Sequence, residues 1–217
     1  MAQLNALVGG LFIITVFGII SVRQMLGGIR LFVLQSILLA ISACILGVVH
    51  GSIHLFVVAG ITIGAKGLLI PWLLYNMFSH EIHARREITH VINIPSSLLI
   101  AAGLTIFAYF VVHPLLGIDS TPFIKVNLPI GLAGVLLGAY AITVRREALP
   151  QLIGILTMEN GAFFAGISIA PNMPLISELA AAFDVLIIAL VIGILTRKIH
   201  KRVGTTMVGK MVSLKEK

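Results

Sequence analysis

Three ionisable side chains lie inside long apolar stretches of the chain. Lys66 lies in GITIGAKGLLIPW, Glu159 in GILTMENGAFFAG and Asp184 in ELAAAFDVLIIALVIG. A charge at the centre of a membrane-spanning helix costs roughly 2.5–3.5 kcal/mol on insertion scales. All three side chains are therefore predicted to face a bundle interior or a protein contact. Groups held away from water titrate at shifted pH and respond to neighbouring charges, so these residue types favour a proton relay.

A static ion pair is the alternative to a relay. Lys66 would then pair with Glu159 or Asp184 and fix the packing of two helices. Two acids and one base leave one acid unmatched, which favours a relay or an external partner. Asn160 and Gly161 directly follow Glu159. Their predicted roles are supporting ones, since an amide can hydrogen-bond within a bundle and glycine permits close helix approach.

The composition excludes a water-soluble protein. Hydrophobic residues make up 59% of the 217 residues and charged residues 11%, with a mean hydropathy of +1.10. Soluble domains carry about 25% charged residues. The net charge of +7 does not indicate nucleic-acid binding, because the basic residues lie between apolar runs. Cys44 is the single cysteine, which excludes an internal disulfide and a cysteine-based metal site.

The apolar runs predict an all-α integral membrane protein of about seven transmembrane helices. Each run is longer than the roughly 10 residues of a barrel strand and is continuously apolar, which favours helices. The predicted spans are 4–22, 31–49, 53–76, 91–112, 127–144, 149–170 and 177–196.

The charges between the spans predict the orientation. Basic residues concentrate in alternate loops, and Lys125 is the only one predicted on the other side. The positive-inside rule then places the C-terminus in the cytoplasm and the N-terminus outside. The N-terminal stretch lacks the basic start and the small-residue cleavage site of a signal peptide, so it is predicted to be a retained helix. The basic residues of the cytoplasmic side are Arg23, Arg30, Arg85, Arg86, Arg145, Arg146, Arg197, Lys198, Lys201 and Arg202.

Histidines and charges between the third and fourth spans form a second candidate site. This loop is predicted to serve as a cytoplasmic interface or a proton entry, through His80, Glu81, His83, Arg85 and Arg86.

A metal site is a weaker alternative at the external end of the second hairpin. His50 and His54 are four residues apart, but Gly51 and Ser52 indicate a turn and no third ligand is apparent. Neither a metal nor a cofactor is predicted. Phosphate-loop, dinucleotide, haem and zinc-protease motifs are also absent from the sequence.

Two similar segments suggest an internal repeat. Arg30 and Gln35 open the second span with the same spacing as Arg146 and Gln151 in the sixth. Residues 1–202 would form one bundle, in which 1–78 and 127–202 are parallel three-helix units. Residues 79–126 would hold a cytoplasmic loop, a linking helix and an external loop, and 203–217 a cytoplasmic tail. The alternative is that any two helices that follow arginines look alike.

The last two spans resemble a known family. The segments VRREALPQLIGILTMENGAFFAGIS and LAAAFDVLIIALVIGILTRKI resemble the hydrogenase-4 component E family of membrane subunits, over essentially the whole chain. About the last 85 residues are also similar to the K-type subunit of complex I and the C-type subunit of multisubunit cation/proton antiporters.

The resemblance implies roles for two of the acids. In the K-type subunit, two membrane glutamates on successive helices belong to a polar axis, and Glu159 and Asp184 look like their counterparts. Glu159 is shifted by about one turn, which keeps the helix face but changes the depth by about 5.4 Å. A water-mediated relay tolerates that shift, whereas a direct carboxylate contact does not. The N-terminal part that carries Lys66 has no counterpart in the K-type subunit.

The resemblance also implies a function. The chain would be a non-catalytic subunit of an energy-converting hydrogenase or complex I-related assembly in a prokaryotic inner membrane, with Glu159, Asp184 and Lys66 on a proton or sodium path. Its partners would be antiporter-like membrane subunits and, in the peripheral arm, nickel–iron hydrogenase and iron–sulfur subunits. The alternatives are a structural spacer between the two arms and a stand-alone small transporter.

Overall fold

A computed structural model of the chain describes residues 1–77, 92–117 and 120–169. Over these ranges six apolar helices are long enough to cross a membrane, and no strand accompanies them. The predicted all-α membrane fold is confirmed, with six spans near their predicted positions. The predicted span 177–196 lies outside the described residues. The helices are α1 (Ala2–Ser21), α2 (Met25–His50), α3 (Ile53–Asn76), α4 (Ile94–Val112), α5 (Pro122–Thr143) and α6 (Ala148–Ile169).

Local residues fix where several helices begin and end. Gly51 adopts a left-handed conformation, with φ of 63°, and ends α2 directly before α3 begins. Thr121 caps α5, because its hydroxyl accepts a hydrogen bond from the Ile124 amide at 3.3 Å. Pro122 is the first residue of α5, where its missing amide hydrogen costs nothing.

The core lies between α1, α2, α5 and α6. At its centre Phe12 of α1 stacks on Phe164 of α6, with ring centroids 4.8 Å apart. In contrast, α4 lies at the periphery. Only 17% of the residues in its most apolar stretch are buried, compared with 61% in α2. The exposed face of α4 is apolar, as expected for a helix in contact with lipid.

The turns at one end of the bundle agree with the charge pattern. The Arg145 guanidinium, between α5 and α6, donates hydrogen bonds to the Ile19 and Ile20 carbonyl oxygens at the end of α1. The α1–α2 and α5–α6 turns, both predicted to be cytoplasmic, therefore lie at the same end. Which side of the membrane that end faces stays a prediction from the charges.

Glycines bring α5 and α6 into backbone contact. A Cβ on Gly134 would lie 2.9 Å from the Gly161 Cα, and a Cβ on Gly161 would lie 2.6 Å from the Gly134 carbonyl carbon. Gly138 is equally tight, since a Cβ there would lie 2.5 Å from the Met158 amide nitrogen. Small residues at a membrane helix contact permit this approach and maximise van der Waals packing.

This contact gives a stability prediction. Gly161→Ala is expected to lower the free energy of unfolding by about 1–3 kcal/mol, because the added methyl group forces two backbones apart. Gly166→Ala is the matched control on the same helix, where a Cβ meets nothing within 4 Å. Thermal unfolding of the detergent-solubilised chain measures both. Equal melting temperatures for the two variants would show that the helices do not touch at Gly161.

Candidate functional site

A π-helical segment interrupts α3 at the centre of the candidate site. Residues Ile53–Ile61 and Ile70–Met77 are α-helical, whereas Thr62–Leu69 form a π-helix. π-Helical turns are rare and are found frequently at functional sites. Lys66 lies inside this segment and is 5% exposed. Lys66 is the single ionisable residue of this π-helical segment, and its side chain is directed into the bundle.

Lys66 makes a direct ion pair with Glu159. The Lys66 Nζ lies 2.6 Å from the Glu159 Oε1, so the two charges of α3 and α6 neutralise each other. The ammonium also donates a hydrogen bond to the Asn160 Oδ1 at 3.1 Å. The Phe163 ring centroid lies 5.3 Å from the Nζ, within cation–π range.

Two buried amides continue the contact into α2. The Asn160 Nδ2 donates a hydrogen bond to the Gln35 Oε1 at 3.1 Å, and both side chains are fully buried. The Gln35 Nε2 has no hydrogen-bond partner among the described residues. Buried polar groups are normally satisfied by protein or by ordered water. The hydrogen-bonded series Lys66–Asn160–Gln35 therefore ends on a buried donor without a described partner.

The two members of the ion pair differ in exposure. The Lys66 side chain is 6% exposed, whereas the Glu159 side chain is 21% exposed. The ammonium is thus enclosed by the bundle, and the Glu159 Oε2 is also buried although part of that side chain is exposed. A proton can reside on either partner of such a pair, and a charge that arrives nearby changes which one holds it. The arrangement is suited to accepting and releasing a proton within the membrane.

The structure brings together three of the residues singled out in the sequence, namely Lys66, Glu159 and Asn160. Gly161 lies beside them in the chain but faces α5. Asp184 and the loop residues His80, Glu81, His83, Arg85 and Arg86 lie outside the described residues.

Sequence reasoning missed Gln35 and Phe163 as members of the site. Gln35 stood out only through its match with Gln151, and the two glutamines have different contacts. Gln35 is hydrogen-bonded to Asn160, whereas the Gln151 Nε2 donates to the Arg145 carbonyl oxygen at 2.9 Å. The available signal was an amide within an otherwise apolar run, since such amides hydrogen-bond across helices.

The histidine pair does not form a metal site in the described part of the chain. The His50 Nδ1 is hydrogen-bonded to the Leu46 carbonyl oxygen at 3.0 Å. Within residues 1–77, 92–117 and 120–169, no three His, Cys, Asp or Glu side chains are grouped closely enough to hold a metal ion.

Similarity to known proteins extends over nearly the entire chain. The uncharacterized protein Rv0085 of Mycobacterium tuberculosis is 32% identical over 209 residues, which cover 96% of this chain and 94% of that protein. Hydrogenase-4 component E of Escherichia coli K12 is 27% identical over 214 residues, with 95% and 94% coverage. The chain is thus a distant homologue of hydrogenase-4 component E over nearly its whole length. No protein-family model and no solved structure matches it.

This distant homology supports the resemblance to component E found in the sequence. The match spans both halves of the chain, including α3 with Lys66 and α6 with Glu159. Together with the six apolar helices, it identifies a multi-pass membrane protein. The similarity of the C-terminal part to the K-type and C-type subunits stays a prediction.

Proposed function

We propose that this chain is a non-catalytic membrane subunit of an energy-converting hydrogenase or a complex I-related assembly, and that it forms part of a proton path. The contact between Lys66 and Glu159 at 2.6 Å, inside two membrane spans, carries the proposal. The similarity to hydrogenase-4 component E over 95% of the chain supports the type of complex. Hydrogen and electron chemistry would take place in partner subunits.

The hydrogen-bonded amides favour a relay over a simple packing contact. One ion pair suffices to hold α3 against α6, yet Asn160 and Gln35 extend the polar contact to α2. Each of these buried polar groups costs free energy unless it is paired. Part of the Glu159 side chain is exposed, which places this end of the path close to the bundle surface, where a neighbouring subunit would pack. Antiporter-like subunits are the partners that the family resemblance favours there.

The proposal includes Asp184 and the cytoplasmic loop on sequence grounds. Asp184 would be the second acid of the path, as its likeness to the K-type subunit implies. The loop with His80, Glu81 and His83 would contact partners or admit protons from the cytoplasm. Sodium is the alternative ion, since carboxylate and amide oxygens also suit a hard cation.

Glu159→Gln tests the proposal in membranes that contain the complete complex. The amide keeps the size and hydrogen bonding of the side chain but cannot exchange a proton near neutral pH. We expect proton translocation per hydrogen formed to fall about 10-fold or more, because a positioned acid or base contributes about 10²-fold or more to proton transfer. Co-purification of the other subunits should be unchanged.

Thr157→Val is the matched control on the same helix. Thr157 is fully buried, and its hydroxyl donates a hydrogen bond to the Ile153 carbonyl oxygen at 2.8 Å within α6. Its removal leaves the contacts of Lys66 intact, so coupling should stay at the wild-type value. Wild-type coupling in Glu159→Gln would reject the relay. The structural-spacer hypothesis would then remain, because an ion pair of 2.6 Å can also serve only to hold two helices together.

A further inference from the structure

A second group of buried polar side chains joins α1, α2 and α5. The Asn5 Nδ2 donates a hydrogen bond to the Asn127 Oδ1 at 2.7 Å, and the Ser42 hydroxyl donates to the Asn5 Oδ1 at 2.7 Å. All three residues are fully buried. The Asn127 Nδ2 has no hydrogen-bond partner among the described residues. We call Asn5, Ser42 and Asn127 the outer cluster.

The outer cluster lies at the end of the bundle opposite Arg145. Asn5 is close to the start of α1, Asn127 close to the start of α5 and Ser42 in the last third of α2. Charge patterning predicts that this end faces the outside. Ser42 follows Gln35 by seven residues, which puts both on one face of α2 at a separation of about 10 Å along the helix.

An apolar layer separates the outer cluster from the ion pair. Phe164 lies one turn beyond Asn160 on α6, and Phe12 lies two turns from Asn5 on α1. The two rings stack at 4.8 Å between centroids and are fully buried. On α2, the fully buried Leu39 lies between Gln35 and Ser42. A layer of this kind excludes water while the rings stay stacked.

We infer that the outer cluster is the exit section of the proton path and that the Phe12–Phe164 stack is its gate. This inference rests on the proposed function. Each side of the stack carries one buried amide donor without a described partner, on Gln35 and on Asn127, and ordered water is a usual partner of such groups. When the stack opens, water joins the two donors. One proton then leaves the ion pair for the outside, and one proton from the cytoplasmic side replaces it.

The gate explains why the two polar groups are not continuous. A permanently wet path through α1, α2, α5 and α6 would let protons return without doing work. Hydrophobic constrictions close such paths by excluding water. The stack lies in a layer in which α1, α2 and α6 contribute apolar side chains, with polar side chains of the described residues on either side of it.

Asn127→Leu and Asn127→Ser test the exit section in membranes that contain the complete complex. Leucine removes the polar atoms and fills the space, so proton translocation per hydrogen formed should fall about 10-fold. Serine leaves room for water and keeps a hydroxyl, so translocation should stay within twofold of wild type. Equal translocation in the two variants, with equal assembly, would overturn the inference. A cluster that only holds helices together predicts a loss of assembled complex in both.

Phe164→Ala tests the gate through proton leak. A pH step is applied to vesicles that contain the assembled complex but no electron donor. A fluorescent dye then follows the decay of the pH difference across the membrane. We expect decay at least tenfold faster than in wild type, and Phe164→Val serves where the alanine variant does not assemble. Phe32→Ala is the control, since Phe32 is equally buried but packs in the other apolar cluster. Leak equal to the control would overturn the gate.

The two sets of variants separate the two proposals. Loss of coupling in Glu159→Gln, with wild-type behaviour of Asn127→Leu and Phe164→Ala, would reject the exit section and retain the relay. Coupling unchanged in Glu159→Gln would reject the relay and, with it, the route from the ion pair to the outer cluster. The leak in Phe164→Ala is measured without turnover, so it decides on the gate separately from the coupling measurements.

Discussion

A chain that carries Lys66→Met is expected to lose about 3 kcal/mol of stability, and Glu159→Met in the same chain is expected to restore most of it. Removal of one partner of a buried ion pair leaves an uncompensated charge, whereas removal of both leaves none. Glu159→Met alone should cost more, towards 5 kcal/mol, because it strands Lys66 at 6% side-chain exposure. The Glu159 side chain is 21% exposed, so loss of Lys66 is expected to cost less than loss of Glu159.

A double-mutant cycle on the detergent-solubilised chain measures this coupling. Leu156→Met is the control for a methionine in α6, since Leu156 is buried at 1% and the exchange nearly conserves volume. Additive effects of the two substitutions would show that the side chains do not interact. The double variant also separates the functional hypotheses in the complete complex. A relay predicts an assembled but uncoupled complex, and a spacer predicts an assembled and coupled one.

The helices could be predicted because each one depends on local sequence alone. In a bilayer every backbone group must be paired within its own helix, so a continuous apolar run of sufficient length forms a helix wherever it lies. The π-helix at Thr62–Leu69 could not be predicted in this way. Its glycines and Lys66 are compatible with an ordinary α-helix.

The partner of Lys66 could not be chosen from the sequence. Glu159 and Asp184 were equally suitable acids, and both lie far from Lys66 along the chain. The packing of α3 against α2 and α6 decides the contact, and no local pattern encodes it. The buried amides Asn5 and Asn127 show the limit of reasoning from charge. They also interrupt apolar runs. Because they are neutral, their burial in a membrane costs less free energy than that of a charge, and they indicate a functional site less strongly.

Arg145 also has a structural role that its sequence position did not reveal. The charge pattern gave it the same role as Arg146, as one of two cytoplasmic basic residues. In the structure Arg145 is buried at 3% exposure and Arg146 is exposed. Its guanidinium donates to the Ile19 and Ile20 carbonyl oxygens at 2.8 and 2.7 Å, and to the Val22 carbonyl oxygen at 3.2 Å.

Arg145→Met is therefore expected to destabilise the chain by about 3 kcal/mol or more, and Arg146→Met by less than about 0.5 kcal/mol. The last carbonyl groups of α1 have no partner within the helix, and charge-assisted hydrogen bonds of about 1.5–3 kcal/mol each are lost there. Burial lowers the pKa of Arg145 to about 10, which still keeps it protonated at neutral pH. Denaturant titration in detergent measures both variants.

Arg145→Lys distinguishes the hydrogen bonds from the charge. Lysine keeps the positive charge, but its compact ammonium cannot reproduce the fork of a guanidinium. We expect it to recover less than half of the stability lost in Arg145→Met. Full recovery would mean that charge alone matters at this position, as it does in the positive-inside rule. Partial recovery would show that the hydrogen bonds of the guanidinium, and not its charge alone, join the end of α1 to the α5–α6 hairpin, the hairpin that carries Glu159.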